Sequence, residues 1–495
     1  MSLALVRVLI HFLTNGTYGY FRDELYYIAC SKHLAWGYVD HPPLSVFILA
    51  LTRGLLGDSL FAIRVPAVLA GAAVISFTGI MARELGGGRF AQGIAALGSL
   101  VAGSLLAMTS FFSVNAFDLL FWVACALAVI RIMKTDNQRL WLAFGALAGL
   151  AMMNKISIAF LGFGIVVGLA LTRQRRHLLS RWFWVGGLLA LLILLPYLWW
   201  QFTHDFATLE FMRHATEFKN AQIRALDYLG AQILLTNPFA APIWIAGLGY
   251  LLFANSARSY RLLGIAYVAI LALFLVQGAK AYYLAPAYPM LMAAGGVAIE
   301  DFTRKRRRWL RPALIGVVCA GGMLLAPLAV PLLSPAAYTR YAATIGFAPP
   351  KEERNQLGEL PQHLADRLGW ENMVATIARV YQALPAADRA RATILANNYG
   401  EAAAVDLFGP RLGLPTAISG HNNYWLWGPG RATGDVVIAV GVPADDLRQS
   451  FTTVEQADTI VSKYAMPSET NLPVYVCRQL KRPVAEVWPQ LKRFI

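Results

Sequence analysis

The residues best suited to chemistry begin with two adjacent carboxylates, Asp23 and Glu24, in the stretch Tyr20–Tyr27. They follow the first apolar segment, at the point where a membrane protein emerges into water. Ionisable residues at the edge of a bilayer are candidates for function. Helical neighbours point about 100° apart, so these two carboxylates are not expected to act as a paired acid and base. The alternative interpretation is an interfacial helix end with two solvated charges.

A second group of polar residues is predicted on the same face. Asp118 begins a later apolar run, where a carboxylate is costly unless it is paired or solvated in a cavity. Lys155 and Lys280 could bind a phosphate beside these acids, and the alternative for each lysine is snorkelling to lipid head groups. His204 and Arg213 lie in a middle loop and are candidates for sugar or acceptor binding.

The composition indicates which elements must position these residues. The 495-residue chain is 57% hydrophobic and 14% charged, which predicts a polytopic membrane protein. Its net charge of +15 comes from short basic clusters between apolar runs, a distribution typical of membrane topology. We therefore expect no nucleic-acid partner.

Ten apolar segments approach the roughly 20 residues that a spanning helix needs. They are 61–82, 91–109, 113–132, 139–154, 156–172, 182–200, 238–254, 262–278, 284–300 and 312–333. The shorter segment Ser2–Asn15 is a tilted first span, the end of a longer segment, or a signal peptide, although no small-residue cleavage site follows it. About 11 transmembrane helices result if it spans.

If the N-terminus is cytoplasmic and the number of spans is odd, nearly every dense basic cluster lies on the cytoplasmic side, including Arg173–Arg181 and Arg304–Arg308. The loop 17–60 and everything after Leu333 then face the periplasm of a bacterium. We expect the helices of that loop to lie along the membrane interface, and Pro42-Pro43 to end one of them.

Residues 334–495 have the composition of a soluble domain, so the sequence predicts a membrane domain at 1–333 and a small periplasmic α/β domain at 334–495. Strands are predicted at 392–396, 435–440 and 473–477, and a helix at 400–408. The aromatic loop Gly420–Gly430 contains Tyr424 and Trp425, whose flat rings suit a sugar acceptor. The alternative is an ordinary packed loop.

These motifs together resemble the bacterial glycosyltransferase family 39 proteins of the GT-C class, relatives of protein O-mannosyltransferases and lipid A aminoarabinose transferases. The resemblance rests on Asp23-Glu24 after the first span, Pro42-Pro43-Leu44, Asp118, and the Lys-x-Tyr-Tyr-x-x-Pro-x-x-Pro stretch from Lys280. It covers about residues 1–330. The tail, with Asn397–Glu401 and Gly420–Trp425, resembles a bacterial subset of the same proteins.

The resemblance implies transfer of a sugar from a polyprenyl-phosphate donor, such as undecaprenyl phosphate, to an envelope lipid, glycan or protein on the periplasmic face of the inner membrane. It implies that Asp23 is the catalytic base, with Glu24 beside it and Asp118 as a second acid, and that the anomeric carbon is inverted. His41 stands where related transferases carry a phosphate-binding lysine, so it is expected to be a weaker partner than Lys155 and Lys280. Tyr282 and Tyr283 belong to the same predicted donor site.

No essential metal and no cofactor are expected, because the resemblance is to metal-independent members. Two other classes of function stay open at this point. A flippase or transporter of lipid-linked sugars is one, although such proteins often have paired halves and the sequence has no evident symmetry. A scaffold whose periplasmic domain binds envelope glycan is the other.

Overall fold

The computed structural model describes residues 2–221, 223–304, 307–348, 353–354, 356 and 358–495. Lys305 and Arg306 of the predicted basic cluster at 304–308 lie outside these residues. The described chain is mainly helical, with one five-stranded sheet near its C-terminus.

Sixteen α-helices precede residue 334 among the described residues. They are α1 (Ser2–Thr14), α2 (Arg22–Lys32), α3 (Leu44–Leu56), α4 (Leu60–Glu84), α5 (Arg89–Val101), α6 (Gly103–Met108), α7 (Val114–Thr135), α8 (Leu140–Met152), α9 (Ile158–Ala170), α10 (Arg181–Thr203), α11 (Ala207–His214), α12 (Ala225–Leu235), α13 (Ala241–Phe253), α14 (Arg261–Gln277), α15 (Tyr288–Phe302) and α16 (Leu310–Ala329). Shorter 3₁₀ turns cover Arg173–Leu179, Arg258–Tyr260 and Ala281–Ala287, and a π-helical turn covers Ala215–Lys219.

Every predicted span coincides with one of these helices or with a pair of them. Within the described ranges, α4, α7, α10, α14 with its preceding turn, and α16 are long and apolar enough to cross a membrane, and α9 adds a sixth span if it is joined to Arg173–Leu179. Helices such as α8 and α13 have 13 residues, so they rise about 20 Å, less than the roughly 30 Å of a hydrocarbon core. The chain is a multi-pass membrane protein, and the number of 11 spans stays a prediction.

Small residues allow the apolar helices to approach closely. Helices α8 and α10 cross at Gly145 and Gly186, where a Cβ on either glycine would meet the backbone of the other helix. Helices α13 and α15 cross in the same way at Gly247 and Gly295. Such crossings give van der Waals contact between helices in lipid, where apolar burial contributes little.

The first loop packs against the C-terminal domain, and the position of its helices along the membrane interface stays a prediction. Residues Leu25–Ser31 of α2 are buried, because the C-terminal domain covers this helix. The Pro42-Pro43 pair does not end a helix: α2 ends at Lys32, and Pro43 directly precedes α3. A proline is tolerated at a helix start, where its missing N–H would have no partner within the helix.

The C-terminal α/β domain combines helices with a mixed sheet. Its helices are α17 (Pro335–Thr344), α18 (Gln362–Ala365), α19 (Trp370–Ala383), α20 (Ala386–Arg389), α21 (Tyr399–Phe408), α22 (Asn423–Trp427), α23 (Ala444–Ser450) and α24 (Val484–Val487), with 3₁₀ turns at Gly409–Leu412, Pro467–Glu469 and Trp488–Leu491. Its strands are β1 (Ala392–Ala396), β2 (Ala417–Ile418), β3 (Val436–Val440), β4 (Phe451–Ile460) and β5 (Leu472–Leu480).

The sheet has the order β2-β1-β3-β5-β4, with β1 parallel to β2 and β3, and β5 antiparallel to β3 and β4. The three predicted strands are β1, β3 and β5, and the predicted helix is α21. Strand β4 was not predicted, because it is an edge strand whose residues are mostly exposed and polar. One buried cluster joins α2 and α3 to α19, α21 and the sheet, so the α/β domain packs directly on the first loop.

Candidate active site

A cavity of about 280 Å³ lies between the membrane helices and the C-terminal domain. Of the predicted site residues, it brings together Asp23 from the start of α2, Lys280, and Tyr282 from the turn Ala281–Ala287. Asn115, Glu353 and apolar side chains from α6, α12 and α16 complete the lining. The cavity therefore joins a carboxylate and an ammonium group beside the apolar side chains of α6, α12 and α16.

Asp23 lies in the first turn of α2 and accepts a hydrogen bond from the Tyr399 hydroxyl at 3.0 Å. Burial raises the pKa of this carboxyl above its ordinary value, while Arg22, Lys219 and the Tyr399 hydrogen bond act in the opposite direction. A carboxylate with a raised pKa accepts a proton more readily than a solvated one, as a general base must.

Glu24 is turned away from the cavity and is completely buried. Its two oxygens accept hydrogen bonds from Arg64 at 2.7 and 2.8 Å and from the backbone N–H groups of Phe21 and Phe112 at 2.8 and 2.7 Å. The bond from Phe21 also caps the N-terminus of α2. This arrangement assigns Glu24 to fixing α2 against α4 and the segment before α7.

Lys280 belongs to a charged group that also contains Glu353 and Lys219. The Lys280 Nζ lies 2.7 Å from a Glu353 carboxylate oxygen, and the Lys219 Nζ lies 3.8 Å from the same oxygen. Burial alone would raise the pKa of Glu353, but the two ammonium groups hold it below its ordinary value. One anionic group is thus bound by two lysines at the cavity wall.

Lys155 and Asp118 form a second ion pair near the cavity. The Lys155 Nζ lies 2.8 Å from the Asn115 side-chain oxygen and 3.6 Å from an Asp118 oxygen. Asp118 also accepts a hydrogen bond from the Ser157 hydroxyl at 2.5 Å. Asn115 lines the cavity itself, so Asp118 holds Lys155 close to the cavity wall.

The two predicted donor-site tyrosines frame Lys155. Its ammonium group lies 5.1 Å from the ring centre of Tyr283 and 5.9 Å from that of Tyr282. His41 is buried among aromatic rings, with its Nδ1 2.9 Å from the Pro42 carbonyl oxygen and its Nε2 3.9 Å from an Asp40 oxygen. It is not among the cavity-lining residues.

The four residues predicted to bind the acceptor are placed away from this cavity. The His204 ring stacks on Trp200, and Arg213 lies on α11 in a separate shallow groove. Tyr424 is buried and donates to an Asp406 oxygen at 2.7 Å, while the Trp425 indole donates to the Trp488 carbonyl oxygen at 3.0 Å. Their predicted role stays untested.

Three residues at the site were not predicted from the sequence: Lys219, Glu353 and Tyr399. Lys219 and Glu353 meet because the backbone pairs Asn220 with Glu353, a long-range contact without a local sequence signal. Tyr399 lies in the stretch Asn397–Glu401, which carries part of the family resemblance. Within the described ranges, no group of three His, Cys, Asp or Glu side chains is placed to hold a metal ion, and metal independence stays a prediction.

Comparison with known protein sequences gives two matches that bear on this site. The model of the dolichyl-phosphate-mannose-protein mannosyltransferase family matches residues 40–200. The lipid A galacturonosyltransferase RgtD of Rhizobium johnstonii is 27% identical over 234 residues. That match spans 46% of this chain and 48% of the relative, so about half of each protein is compared.

Comparison with solved structures covers nearly the whole chain. The crystal structure of ArnT from Cupriavidus metallidurans bound to undecaprenyl phosphate matches with a TM-score of 0.66 and 15% identity, over 96% of this chain and 97% of that one. The mycobacterial arabinofuranosyltransferase AftD matches with a TM-score of 0.51 and 12% identity, over 96% of this chain and 41% of that one. At 15% and 12% identity, these two matches show a similar fold and nothing further. The fold is therefore GT-C-like, and the resemblance to bacterial glycosyltransferase family 39 proteins that the sequence indicates is confirmed.

Proposed function

We propose that this protein is a membrane glycosyltransferase that moves a sugar from a polyprenyl-phosphate donor to a hydroxyl group of an envelope acceptor. The observation that carries the proposal is that Asp23 and Lys280 line one cavity beside apolar helices. In such a cavity the polyprenyl chain stays in lipid while its phosphate and sugar reach a base and a cation. The undecaprenyl phosphate in the similar ArnT structure supports this class of donor.

Asp23 is the general base of the proposed reaction. It accepts the proton of the acceptor hydroxyl while that oxygen attacks the anomeric carbon. The bond between the anomeric carbon and the phosphate oxygen breaks, and its electron pair leaves with the polyprenyl phosphate. Attack opposite to the leaving group inverts the configuration at the anomeric carbon.

The lysines stabilise the departing phosphate. Lys280 and Lys219 pair with one carboxylate, that of Glu353, so these three side chains together keep a net charge of +1 at the cavity wall. Lys155, oriented by Asp118 and Asn115, supplies a further positive charge near Tyr282 and Tyr283. Fixed cations of this kind stabilise charge that develops in the transition state.

The acceptor class is part of the proposal. The name of the Rhizobium relative points to lipid A, and that of the matching family points to protein hydroxyl groups. Lipid A is the first acceptor to test, because that relative's match extends over more of this chain than the family model does.

We also propose that residues 1–333 form the membrane domain, that residues 334–495 form a periplasmic domain, and that the protein lies in the bacterial inner membrane. The basic clusters of the loops between spans support this orientation. A reporter that is active only in the periplasm, fused after Ile495, should be active. Activity of a cytoplasm-only reporter at that position would invert the proposed active face.

Reconstitution separates an enzyme from a flippase. The purified protein in proteoliposomes is supplied with undecaprenyl-phosphate-linked galacturonic acid or mannose and with lipid A or a serine-containing peptide. We expect a new glycosidic bond and released undecaprenyl phosphate, detected by mass spectrometry, with inversion shown by NMR of the product. Movement of the intact donor between leaflets without bond formation for any pair would contradict the proposal.

A further inference from the structure

The C-terminal domain reaches the candidate base directly through one side chain. Tyr399 is the first residue of α21, and its hydroxyl donates to the Asp23 carboxylate at 3.0 Å. Asp23 and Tyr399 are 376 residues apart in sequence, so this contact exists only when the two domains are packed together.

The Tyr399 ring is held from several sides. It lies 4.5 Å from the Tyr26 ring and 4.8 Å from the His421 ring, measured between centroids. The Arg22 guanidinium lies over its face at 4.8 Å. A phenol with so many packed neighbours has little freedom to rotate away, so its hydroxyl is aimed at one place.

The backbone that carries Tyr399 is fixed as well. Asn398 and Glu401 form a reciprocal capping box at the start of α21. Gly400 lies so close to Arg22 that an added Cβ would be 2.8 Å from the Arg22 Cγ. The helix start is therefore pressed against the residue that precedes Asp23.

The environment of Asp23 contains several charged or titratable groups besides Tyr399. These are Arg22 and Tyr27 of α2, Asp40 of the loop before α3, Lys219 of the π-helical turn and Asp366 at the end of α18. The cavity wall adds Lys280 and Glu353. Burial raises the pKa of Tyr399 well above its ordinary value, so this phenol is a neutral donor at physiological pH.

We propose that Tyr399 is a positioning residue for the transfer reaction: the C-terminal domain inserts this phenol to orient the Asp23 carboxylate and to favour its ionised form. The inference rests on the proposed function, in which Asp23 is the base. It makes the C-terminal domain a structural part of the active site, in addition to any role in acceptor binding.

Replacing Tyr399 by Phe tests the inference, because the variant keeps the ring contacts and removes only the donor. Infrared titration of the purified full-length protein follows the band of protonated carboxyl groups, and the difference from Asp23→Asn isolates the contribution of Asp23. A hydrogen bond to the ionised form lowers a pKa, so its loss should move the Asp23 midpoint upward by roughly one pH unit.

The same variant should be affected in transfer. A higher Asp23 pKa moves the acidic limb of the kcat/KM profile to higher pH. Above that limb, kcat should fall roughly tenfold because the carboxylate has lost the hydrogen bond that orients it, a loss of the size expected for one hydrogen bond to a charged group. The KM for the undecaprenyl-phosphate-linked sugar should change little. Tyr381→Phe is the matched control, because Tyr381 lies in the same domain and its hydroxyl donates to the Arg389 carbonyl oxygen at 3.3 Å, away from Asp23.

An unchanged Asp23 midpoint in Tyr399→Phe, or an equal shift in Tyr381→Phe, would overturn the inference. Neither result needs a known sugar substrate, because the titration uses the protein alone. Full transfer activity of Asp23→Asn would instead overturn the role of Asp23 in the proposed function. The two failures are therefore distinguishable.

Discussion

Glu24 and Asp23 are adjacent in the sequence, but the region around Glu24 and the region around Asp23 give their carboxylates very different surroundings. Glu24 is completely buried, and four N–H groups from Arg64, Phe21 and Phe112 donate to its oxygens. Asp23 is partly exposed to the cavity and accepts its bond from a neutral phenol. A carboxylate with saturated oxygens cannot take a proton from a substrate, whereas one at a cavity can.

This difference shows that two adjacent acids on one helix can have separate roles, a structural one for Glu24 and a chemical one for Asp23, because they point to different sides of the helix. Breaking a buried ion pair leaves an uncompensated charge, so the region around Glu24 should govern stability. The region around Asp23 should govern rate, since its raised pKa suits proton transfer. Variants of Asp23, Glu24 and Arg64 test this difference between a structural and a chemical role.

The largest effect is expected for Asp23→Asn. The variant keeps the shape of the side chain and removes the proton acceptor, so transfer should fall by roughly 10²- to 10⁴-fold or more. Binding of the lipid donor should survive, because the contacts with the lysines do not require this carboxylate. Transfer rates and donor affinity, measured with the undecaprenyl-phosphate-linked probes, check both statements.

Glu24→Gln is the control for this comparison and should reduce transfer less than Asp23→Asn. Its main effect should be on thermal stability, because an amide replaces an acceptor of four hydrogen bonds. Wild-type activity in Asp23→Asn, or an equal loss of rate in both variants at equal stability, would contradict the proposal that Asp23 has the chemical role and Glu24 the structural one.

Arg64→Met should cause the second-largest effect. The methionine keeps most of the apolar stem but leaves Glu24 buried without its cation, which should lower the free energy of unfolding by about 3–5 kcal/mol. Thermal or denaturant unfolding of the detergent-solubilised protein measures the change. Adding Glu24→Gln to Arg64→Met should recover part of the loss, since the remaining charge is then removed.

Arg224→Met is the matched control for Arg64. Arg224 pairs with Asp227 at 2.7 Å, but both side chains are exposed, by 87% and 53%, and surface pairs contribute about 0–1 kcal/mol. A small loss for Arg64→Met, comparable with that for Arg224→Met, would show that the buried pair is not what fixes α2.

Lys280→Ala should have the smallest of the three effects and should act on binding. Removing one charge-assisted contact should weaken undecaprenyl phosphate binding by about 1.5–3 kcal/mol. Titration of the labelled lipid into the purified protein measures this affinity. Lys492→Ala is the control, because Lys492 pairs with Glu210 on a different surface, and equal weakening in both variants would indicate a non-specific charge effect.

Several parts of this structure follow from local sequence patterns. Each predicted apolar segment is a helix or a pair of helices, because a long apolar run in lipid must satisfy its own backbone hydrogen bonds. Strands β1, β3 and β5 were predicted because they are short buried apolar runs, and β4 escaped prediction because its surface is polar. The burial of α2 was missed because the domain that covers it lies more than 300 residues further along the chain.

The candidate site shows the same limit. Asp23 and Lys280 were identified from the sequence, because charges next to apolar segments are rare and carry a family resemblance. Their shared cavity, the Glu353 carboxylate between two lysines, and the Tyr399 hydroxyl on Asp23 are tertiary contacts. The sequence indicated Tyr424 and Trp425 as candidates for sugar binding. In the fold, however, the Tyr424 hydroxyl donates to Asp406 and the Trp425 indole donates to the Trp488 carbonyl oxygen.

The sequence by itself determined the membrane character, the helical segments, the α/β character of the tail and the identity of the first acidic candidates, because hydropathy and periodicity act over short distances. Only the tertiary structure decided that, of the two adjacent acids, Glu24 pairs with Arg64 and Asp23 lines the cavity. Their order along α2 fixes an angle of about 100° between them, but not what lies in either direction. That depends on the packing of α4 on one side and of α21 on the other.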